Sequence, residues 1–216
     1  VYGKQKPNVS YGRINGDKSQ NYFFTETTPG KPNTTNGYVN TLKTEQPNFT
    51  LKGGFYIENQ ATKIIVPEGA EVYYTLDGSE PTMSSNKYDN DQIGLDSTTV
   101  LRARAYYKNK FPSKTITQTY FVNEDIKLPV VSLSINPENL FSDKTGIYVK
   151  GENYDSTNFR SPNYYNDWTV PANFEYYDKE GIQQLNIQLE YKLTGELRNY
   201  PVKSFKVTAK SKFGND

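Results

Sequence analysis

The sequence contains no cysteine and no histidine, and these two absences exclude much familiar chemistry. Without cysteine, the chain forms neither disulfides nor thiolate metal sites. Without histidine, it lacks the commonest general base, the Ser-His-Asp triad and every imidazole metal ligand. Only carboxylate, lysine or tyrosine chemistry remains, and we expect no metal site and no catalytic residue in this chain.

The sequence also lacks a charge imbalance and long apolar runs. Lys and Arg number 25 and Asp and Glu 24, for a net charge of +1. No field of the whole molecule therefore favours nucleic acid or an anionic membrane. No apolar run approaches the length that crosses a bilayer, and no charged-then-apolar leader precedes the first domain. We expect no nucleic-acid partner and no membrane span, and the richness in Tyr, Asn and Thr favours an extracellular protein.

The residues that are abundant favour a mainly β fold. The chain has 19 Tyr and 11 Phe, with 15 Gly and 12 Pro. Aromatic side chains suit half-buried pleated surfaces, and frequent Gly and Pro supply turns between short strands. Long helices are not expected. A chain of 216 residues is long enough for one large or two small domains.

The middle of the chain has the strand and turn signals of a β-sandwich. Residues 72–76 predict a strand, Asp77-Gly78 supplies turn residues, and Pro81 ends the pairing. In the next predicted strand, Leu101, Ala103 and Ala105 alternate with polar residues. We therefore expect one apolar face towards the sandwich core.

Arg102 and Arg104 occupy the other face of that predicted strand. Their period-two spacing indicates a charged outer face in contact with solvent. The alternative is that the two arginines form an anion-binding pair.

Three motifs in this region carry a family resemblance: YYTLDGSEPT, TTVLRARAYYKN and FPSKTITQTYF. In this order they resemble the chitobiase/β-hexosaminidase C-terminal domain, an Ig- or fibronectin III-like β-sandwich, over residues 49–122. That domain is an accessory module found beside many unrelated catalytic domains. The resemblance therefore implies a fold more than a function.

The segment before the sandwich resembles the end of a lamin-tail domain. It contains the step SYGR, the aromatic run NYFF and the turn TPGKPN. So short a fragment cannot bury a core alone, and we expect it to lie on its neighbour or to be partly mobile. The predicted domains are 1–40 for this end and its linker, 41–125 for the sandwich and 126–216 for the remainder.

The region 126–216 alternates apolar and polar residues in two stretches, 128–134 and 185–193, which predict strands. Residues 136–141 predict a short helix that begins with proline. The motifs LPVVSLSINPENLFSDKTGIYVKGENY, DWTVPANFEYYDKEG and NYPVKSFKV resemble the N-terminal part of the spore coat protein H (CotH) family of atypical secreted protein kinases. The resemblance implies a β-rich, partial α+β region here. We expect Trp168 and the tyrosines near it to pack in a core or between domains rather than to form a sugar platform.

A basic segment near the end of the chain includes Arg198, Lys203 and Lys206. The resemblance to CotH implies that these residues lie over nucleotide phosphate. If the last strand is regular as far as Lys203, its ammonium points inward and needs an anionic partner. The alternative is that the strand begins at Ser204 and Lys203 is an exposed turn residue.

Two functions follow from these resemblances. CotH-like kinases hold their catalytic aspartates in the C-terminal half, and no such half follows Asp216. We therefore expect a chain without catalytic activity and without a cofactor of its own, whereas a parent kinase would use ATP with Mg or Mn. Such a chain is an accessory and small-lobe fragment of a bacterial CotH-like kinase, and it acts as a spacer or docking scaffold for the remainder of its own polypeptide.

The alternative function is a carbohydrate-binding or cell-wall-attachment module, with a glycan or surface protein as partner. Both functions imply an extracellular location, on a bacterial surface or a spore coat. A coplanar row of exposed tyrosines on the sandwich would favour glycan binding, and a basic cleft near Lys203 would favour the kinase fragment. A half-domain exposes apolar sheet surface, so we expect a cover from the sandwich or self-association.

Overall fold

The computed structural model describes residues 9–15, 17 and 19–213. Parts of the segment 1–40 and the last three residues of 126–216 lie outside it. The described chain is mainly β, as the composition predicts, with one short α-helix and two short 3-10 helices. Its strands form one five-stranded sheet, one four-stranded sheet and three two-stranded pairs.

The first pair consists of β1 (Ser10–Gly12) and β2 (Tyr22–Phe24), which run antiparallel. β2 lies in the aromatic run NYFF, and its Phe24 is fully buried. Further along, the ring of Tyr38 packs edge-to-face on Phe111 of the sandwich, with the ring centroids 5.0 Å apart. The described part of this segment therefore contacts its neighbour through an aromatic pair.

The sandwich has two layers. The larger layer is the five-stranded sheet, in the order β4-β11-β10-β7-β8, with β4 parallel to β11 and the other pairs antiparallel. Its strands are β4 (Gly54–Tyr56), β7 (Glu71–Thr75), β8 (Asn86–Lys87), β10 (Thr99–Tyr106) and β11 (Ile116–Val122). The smaller layer pairs β3 (Asn48–Phe49) with β6 (Ile64–Ile65) and β5 (Gln60–Thr62) with β9 (Ile93–Leu95).

The sandwich core lies between these two layers. Leu101, Ala103 and Ala105 of β10 are fully buried in it, which confirms the face predicted from their alternation. They pack with side chains of the smaller layer, such as Phe49 and Leu95. Burial of these apolar side chains is the main stabilising term of the sandwich.

The second sheet is an antiparallel meander in the order β12-β13-β14-β15. Its strands are β12 (Val130–Ile135), β13 (Thr169–Tyr177), β14 (Gln183–Leu193) and β15 (Phe205–Thr208). The two strands predicted in this region are confirmed by β12 and β14. A long connection between β12 and β13 contains α1 (Pro137–Phe141) and a 3-10 helix (Asn163–Tyr165), and a second 3-10 helix spans Ser211–Phe213.

Helix α1 confirms the predicted helix at 136–141. Asn136 caps it, because its side-chain oxygen accepts a hydrogen bond from the backbone N of Glu138 at 3.4 Å. Pro137 occupies the first turn, where its missing N–H has no helical partner to lose. The helix and the connection after it cover part of the apolar face of the second sheet, where Ile147 and Tyr164 are buried.

The sandwich packs on the polar face of the second sheet. Amide side chains of β14 reach backbone oxygens of the sandwich: Asn186 Nδ2 donates to Thr117 O at 2.8 Å, and Gln188 Nε2 to Thr115 O at 3.3 Å. Of the two alternatives expected for the apolar face, the cover from the sandwich is therefore not found, and self-association stays a prediction. That face keeps Val131 52% and Leu185 42% exposed, because the long connection of the second sheet covers only part of it.

The same packing corrects the prediction for Arg102, which was expected to face solvent. Arg102 lies on the outer face of β10 but is only 6% exposed. The adjacent strand and the turn before β8 surround its guanidinium, and the second sheet covers the neighbouring β11. The alternating pattern identified the polar face of the strand correctly, but this face is covered by protein and not by solvent.

Candidate functional site

A polar cleft lies where the sandwich meets the second sheet. The cavity has a volume of about 370 Å³, which is within the range of about 300–1,000 Å³ for small-ligand sites. The sandwich contributes Lys43, Arg104 and Lys114, and the second sheet with its connection contributes Asn136, Asn139 and Asn173. We call this cavity the junction cleft.

Glu80 organises the sandwich wall of the junction cleft. One carboxylate oxygen accepts a hydrogen bond from Arg102 Nη2 at 2.6 Å, and the other accepts one from the hydroxyl of Thr115. Arg104 Nη1 lies 3.6 Å from the second oxygen. Glu80 lies two residues after Gly78 of the Asp77-Gly78 turn, which Ser79 N closes by donating to Asp77 Oδ1, and its carboxylate contacts the arginines of β10.

Arg102 is fixed by three partners and is the buried member of this group. Its Nε donates to Thr117 Oγ1 at 3.3 Å and its Nη1 to Gly78 O at 2.9 Å, in addition to the bond to Glu80. Burial lowers the pKa of Arg102, and the charge of Glu80 opposes that shift. The alternative prediction was that the two arginines bind an anion. Both do face an anion, and that anion is Glu80 of the same chain.

Arg104 remains partly open to the junction cleft. Its Nε donates to Ser113 O at 2.9 Å, its guanidinium lies 5.7 Å from the centroid of the Tyr106 ring, and its side chain is 29% exposed. The opposite wall supplies amide side chains, which both donate and accept hydrogen bonds. The junction cleft can therefore bind a polar ligand through several convergent donors.

The structure places the three predicted phosphate-binding residues elsewhere, around the β14–β15 connection. Arg198 Nε donates to Gly195 O at 2.8 Å, and its Nη1 donates to the backbone oxygen of Tyr164 at 3.3 Å. Lys203 Nζ donates to Tyr200 O at 2.6 Å and lies 5.1 Å from the centroid of the Tyr164 ring. Arg198 and Lys203 therefore meet at Tyr164.

Lys203 fits neither sequence alternative fully. It precedes β15, which begins at Phe205, yet its side chain is half-buried against tyrosine rings rather than exposed. Burial lowers the pKa of Lys203. Lys206 is exposed on β15 opposite Lys192, while its neighbour Val207 packs into the apolar core of the second sheet. Lys206 therefore lies on the sheet face opposite to that core.

The tyrosines of the sandwich do not form a coplanar exposed row. Every residue of 41–125 is described, and Tyr107 is the one exposed tyrosine there. The rings of Tyr73 and Tyr106 stand perpendicular, at 89°. Outside the sandwich, Trp168 is 39% exposed although it was expected to be packed, and Tyr164 is buried as expected. Stacking on a flat tyrosine platform is therefore not a property of this sandwich.

Within the described ranges 9–15, 17 and 19–213, no group of three or more acidic side chains is placed to hold a metal ion. No helix in the same ranges has the length and apolar character needed to span a bilayer.

Comparison with known proteins finds one similarity, which lies in the sandwich. Residues 51–117 match the family model of the chitobiase/beta-hexosaminidase C-terminal domain. This stretch is therefore similar to a carbohydrate-associated accessory β-sandwich, a type of module that is not catalytic and is typical of secreted proteins. Neither the curated proteins nor the solved structures include a match to the chain. The lamin-tail and CotH resemblances remain predictions.

Proposed function

We propose that this chain is a non-catalytic accessory region of an extracellular protein, and that it binds a glycan in the junction cleft. The observation that carries the proposal is that a chitobiase-type sandwich supplies one wall of a polar cavity and the second sheet supplies the other. Because neither module forms the cavity alone, the two act as one binding unit.

The walls of the junction cleft suit sugar hydroxyl groups. Asn136 and Asn139 bring amides from the connection that contains α1, and Asn173 brings one from β13. Hydroxyl groups both donate and accept, and amides match them in both directions. Pro112 and Pro171 add apolar surface at which ring carbons can pack. Specificity in such a site comes from a few placed polar groups.

Calorimetric titration with soluble cell-wall glycan fragments tests this function. We expect saturable heat for the native chain and binding at least about tenfold weaker for Asn139→Ala, the loss of roughly one well-placed hydrogen bond and its packing. Asn86→Ala on the exposed edge strand β8 is the matched control and keeps native affinity. Absence of binding to every glycan fragment rejects the proposal.

A second candidate is the N-terminal part of a CotH-like surface or spore-coat kinase, with a lamin-tail end at 1–40, the sandwich at 41–125 and a partial kinase region at 126–216. The exposure of Val131 and Leu185 favours it, because the remainder of the same polypeptide could cover that apolar face. Here the chain acts as a scaffold, and Arg198 and Lys203 contact phosphate oxygens of the ATP that the parent kinase uses with Mg or Mn. Lys206, the third predicted residue, lies on the other face of the sheet.

Titration with Mg-ATP separates the second candidate from the first. The kinase-fragment function predicts saturable binding that Lys203→Ala removes and Lys63→Ala leaves unchanged. If titration with Mg-ATP gives no binding heat and titration with a glycan does, the result supports the accessory glycan-binding function. Lys63 serves as the control because it is an exposed cation between β5 and β6, far along the chain from the β14–β15 connection.

A further inference from the structure

We infer that the junction cleft selects sugars that carry a negative charge, as a uronate carboxylate or a phosphate ester. This inference rests on the proposed glycan-binding function and adds the chemical class of the ligand. Among the residues that the structure describes, four cationic side chains and one anionic side chain line the cavity; they are Lys43, Arg102, Arg104, Lys114 and Glu80.

Glu80, the anionic side chain in this set, already has hydrogen-bond partners within the chain. Both oxygens of Glu80 accept hydrogen bonds, from Arg102 and from Thr115, and Arg102 is 6% exposed with all three kinds of guanidinium nitrogen engaged. Arg102 and Glu80 therefore form an internal pair that neutralises itself. The positive charge that remains for a ligand comes from the other three cations.

These three cations keep capacity for a ligand. Arg104 is 29% exposed, and its contacts with Ser113 and Glu80 use Nε and Nη1. Lys114 Nζ donates to Phe213 O at 2.5 Å, and an ammonium carries three donors. Lys43 is exposed at the rim. A carboxylate or phosphate between them would accept charge-assisted hydrogen bonds, which are about twice as strong as neutral ones.

The positive charge is local to the junction cleft. The whole chain has a net charge of only +1, so the excess in the cavity is not a general property of the surface. Clefts lined by one sign of charge concentrate ligands of the opposite sign, because their low-dielectric walls focus the field. A neutral sugar would gain from the amides of the opposite wall but not from this field.

The test uses one polymer in two charge states. Galacturonate oligomers carry carboxylates, and the fully methyl-esterified oligomers keep the same rings without charge. By calorimetry at low salt, we expect the native chain to bind the charged form about tenfold more tightly or better. Arg104→Gln and Lys43→Gln should each weaken binding of the charged form and leave that of the ester unchanged. Lys63→Gln, with the same loss of charge outside the cavity, should match the native chain.

Lys43→Gln keeps the test decisive if Arg104→Gln fails to fold, because Lys43 is exposed. A parallel titration with glucuronate and glucose 6-phosphate, which carry the two anions at the same end of the same ring, identifies the source of the charge: tighter binding of the phosphate assigns phosphate, and weaker binding assigns carboxylate. Both outcomes support an anionic ligand.

Equal affinity for the acid and the ester, unaffected by Lys43→Gln, overturns the inference but leaves glycan binding intact. Absence of binding to charged and neutral glycans alike overturns both the inference and the proposed function. Binding of galacturonate that Lys63→Gln weakens as much as Lys43→Gln also overturns the inference, since attraction would then be spread over the surface.

Discussion

Both carboxylate oxygens of Glu175 accept hydrogen bonds from Thr119, one from its backbone N at 3.1 Å and the other from its hydroxyl at 2.6 Å. The two residues lie in different sheets, and Glu175 is fully buried between them. Tyr177 Oη donates to the same carboxylate at 2.6 Å and Gln183 Nε2 at 2.9 Å. This polar cluster joins the second sheet to the sandwich through hydrogen bonds.

Replacement of Glu175 tests that role. Glu175→Ala leaves the N–H of Thr119 and the hydroxyl of Tyr177 buried with fewer acceptors, so we expect a loss of about 3 kcal/mol in the free energy of unfolding. Glu175→Gln keeps the shape, and its amide can donate to Thr119 Oγ1, which also lies 2.8 Å from Ser132 Oγ. We expect that variant within about 1 kcal/mol of the native chain. Urea unfolding followed by the fluorescence of Trp168 measures both; equal losses would contradict the assigned role.

The pKa of Glu175 gives a dependence of stability on pH. Burial raises this pKa above its ordinary value of 4.5, against the opposing effect of the hydrogen bonds from Thr119 and Tyr177. A carboxyl that holds its proton more tightly when folded contributes most below pH 4.5, and its contribution is lost as the pH rises through the raised pKa. The unfolding free energy of the native chain, minus that of Glu175→Gln, should therefore fall with rising pH above 4.5.

Subtraction of the two profiles isolates this residue. Asp77 and Asp178 have lowered pKa values, caused mainly by hydrogen bonds from Ser79 and Ile182, and they lose their contribution as the pH falls. The native chain and Glu175→Gln both contain these groups, so their effect cancels in the difference between the two unfolding free energies. A difference that stays flat, or rises with pH above 4.5, is incompatible with a raised pKa at Glu175.

The pair of Arg102 and Glu80 predicts a different cost. Arg102→Met retains apolar bulk but leaves Gly78 O and one oxygen of Glu80 without their donor. Breaking a fully buried pair costs about 3–5 kcal/mol, and because the Glu80 side chain is 32% exposed we expect about 2 kcal/mol here. Lys87→Met breaks the exposed pair with Glu71 and should have little effect. Urea unfolding that ranks the two variants equally would contradict the burial argument.

The sequence predicted the faces of the strands but not what lies against them. The alternation of apolar and polar residues identified the apolar side of β10 through Leu101 and Ala103, because successive side chains of a strand point to opposite faces. It could not distinguish a polar face in water from one that meets another polar sheet. Arg102 was therefore expected in solvent.

The junction cleft was not predictable for a related reason. Lys43, Arg104 and Asn139 come from three distant segments, and no spacing or motif links them. Glu175 and Thr119 are 56 positions apart, and their contact exists only because two sheets pack on each other. The motif around Glu80 indicated a turn and the family, but its role beside two arginines depends on the pairing of β7 with β10.

Gly151 lies in the connection that covers the apolar face of the second sheet, and its backbone has φ +82°. A Cβ there would stand 2.3 Å from Asn163 Oδ1. Asn163 is 4% exposed, and its Nδ2 donates to Asp143 O at 3.1 Å, so it has little room to move. Gly151→Ala should therefore lower the free energy of unfolding by about 3 kcal/mol, the left-handed backbone accounting for roughly 1–2 of it.

Gly30→Ala is the matched control, because Gly30 also has a positive φ, +70°, but nothing lies within 4 Å of its added Cβ. Gly30→Ala should lower the free energy of unfolding by only about 1–2 kcal/mol, which is the cost of the left-handed backbone. Thermal unfolding of both variants separates the clash from the strain. If Gly151→Ala is no worse than Gly30→Ala, then the connection adjusts around Asn163. In that case its cover over the second sheet is looser than the contacts of Tyr164 and Ile147 indicate.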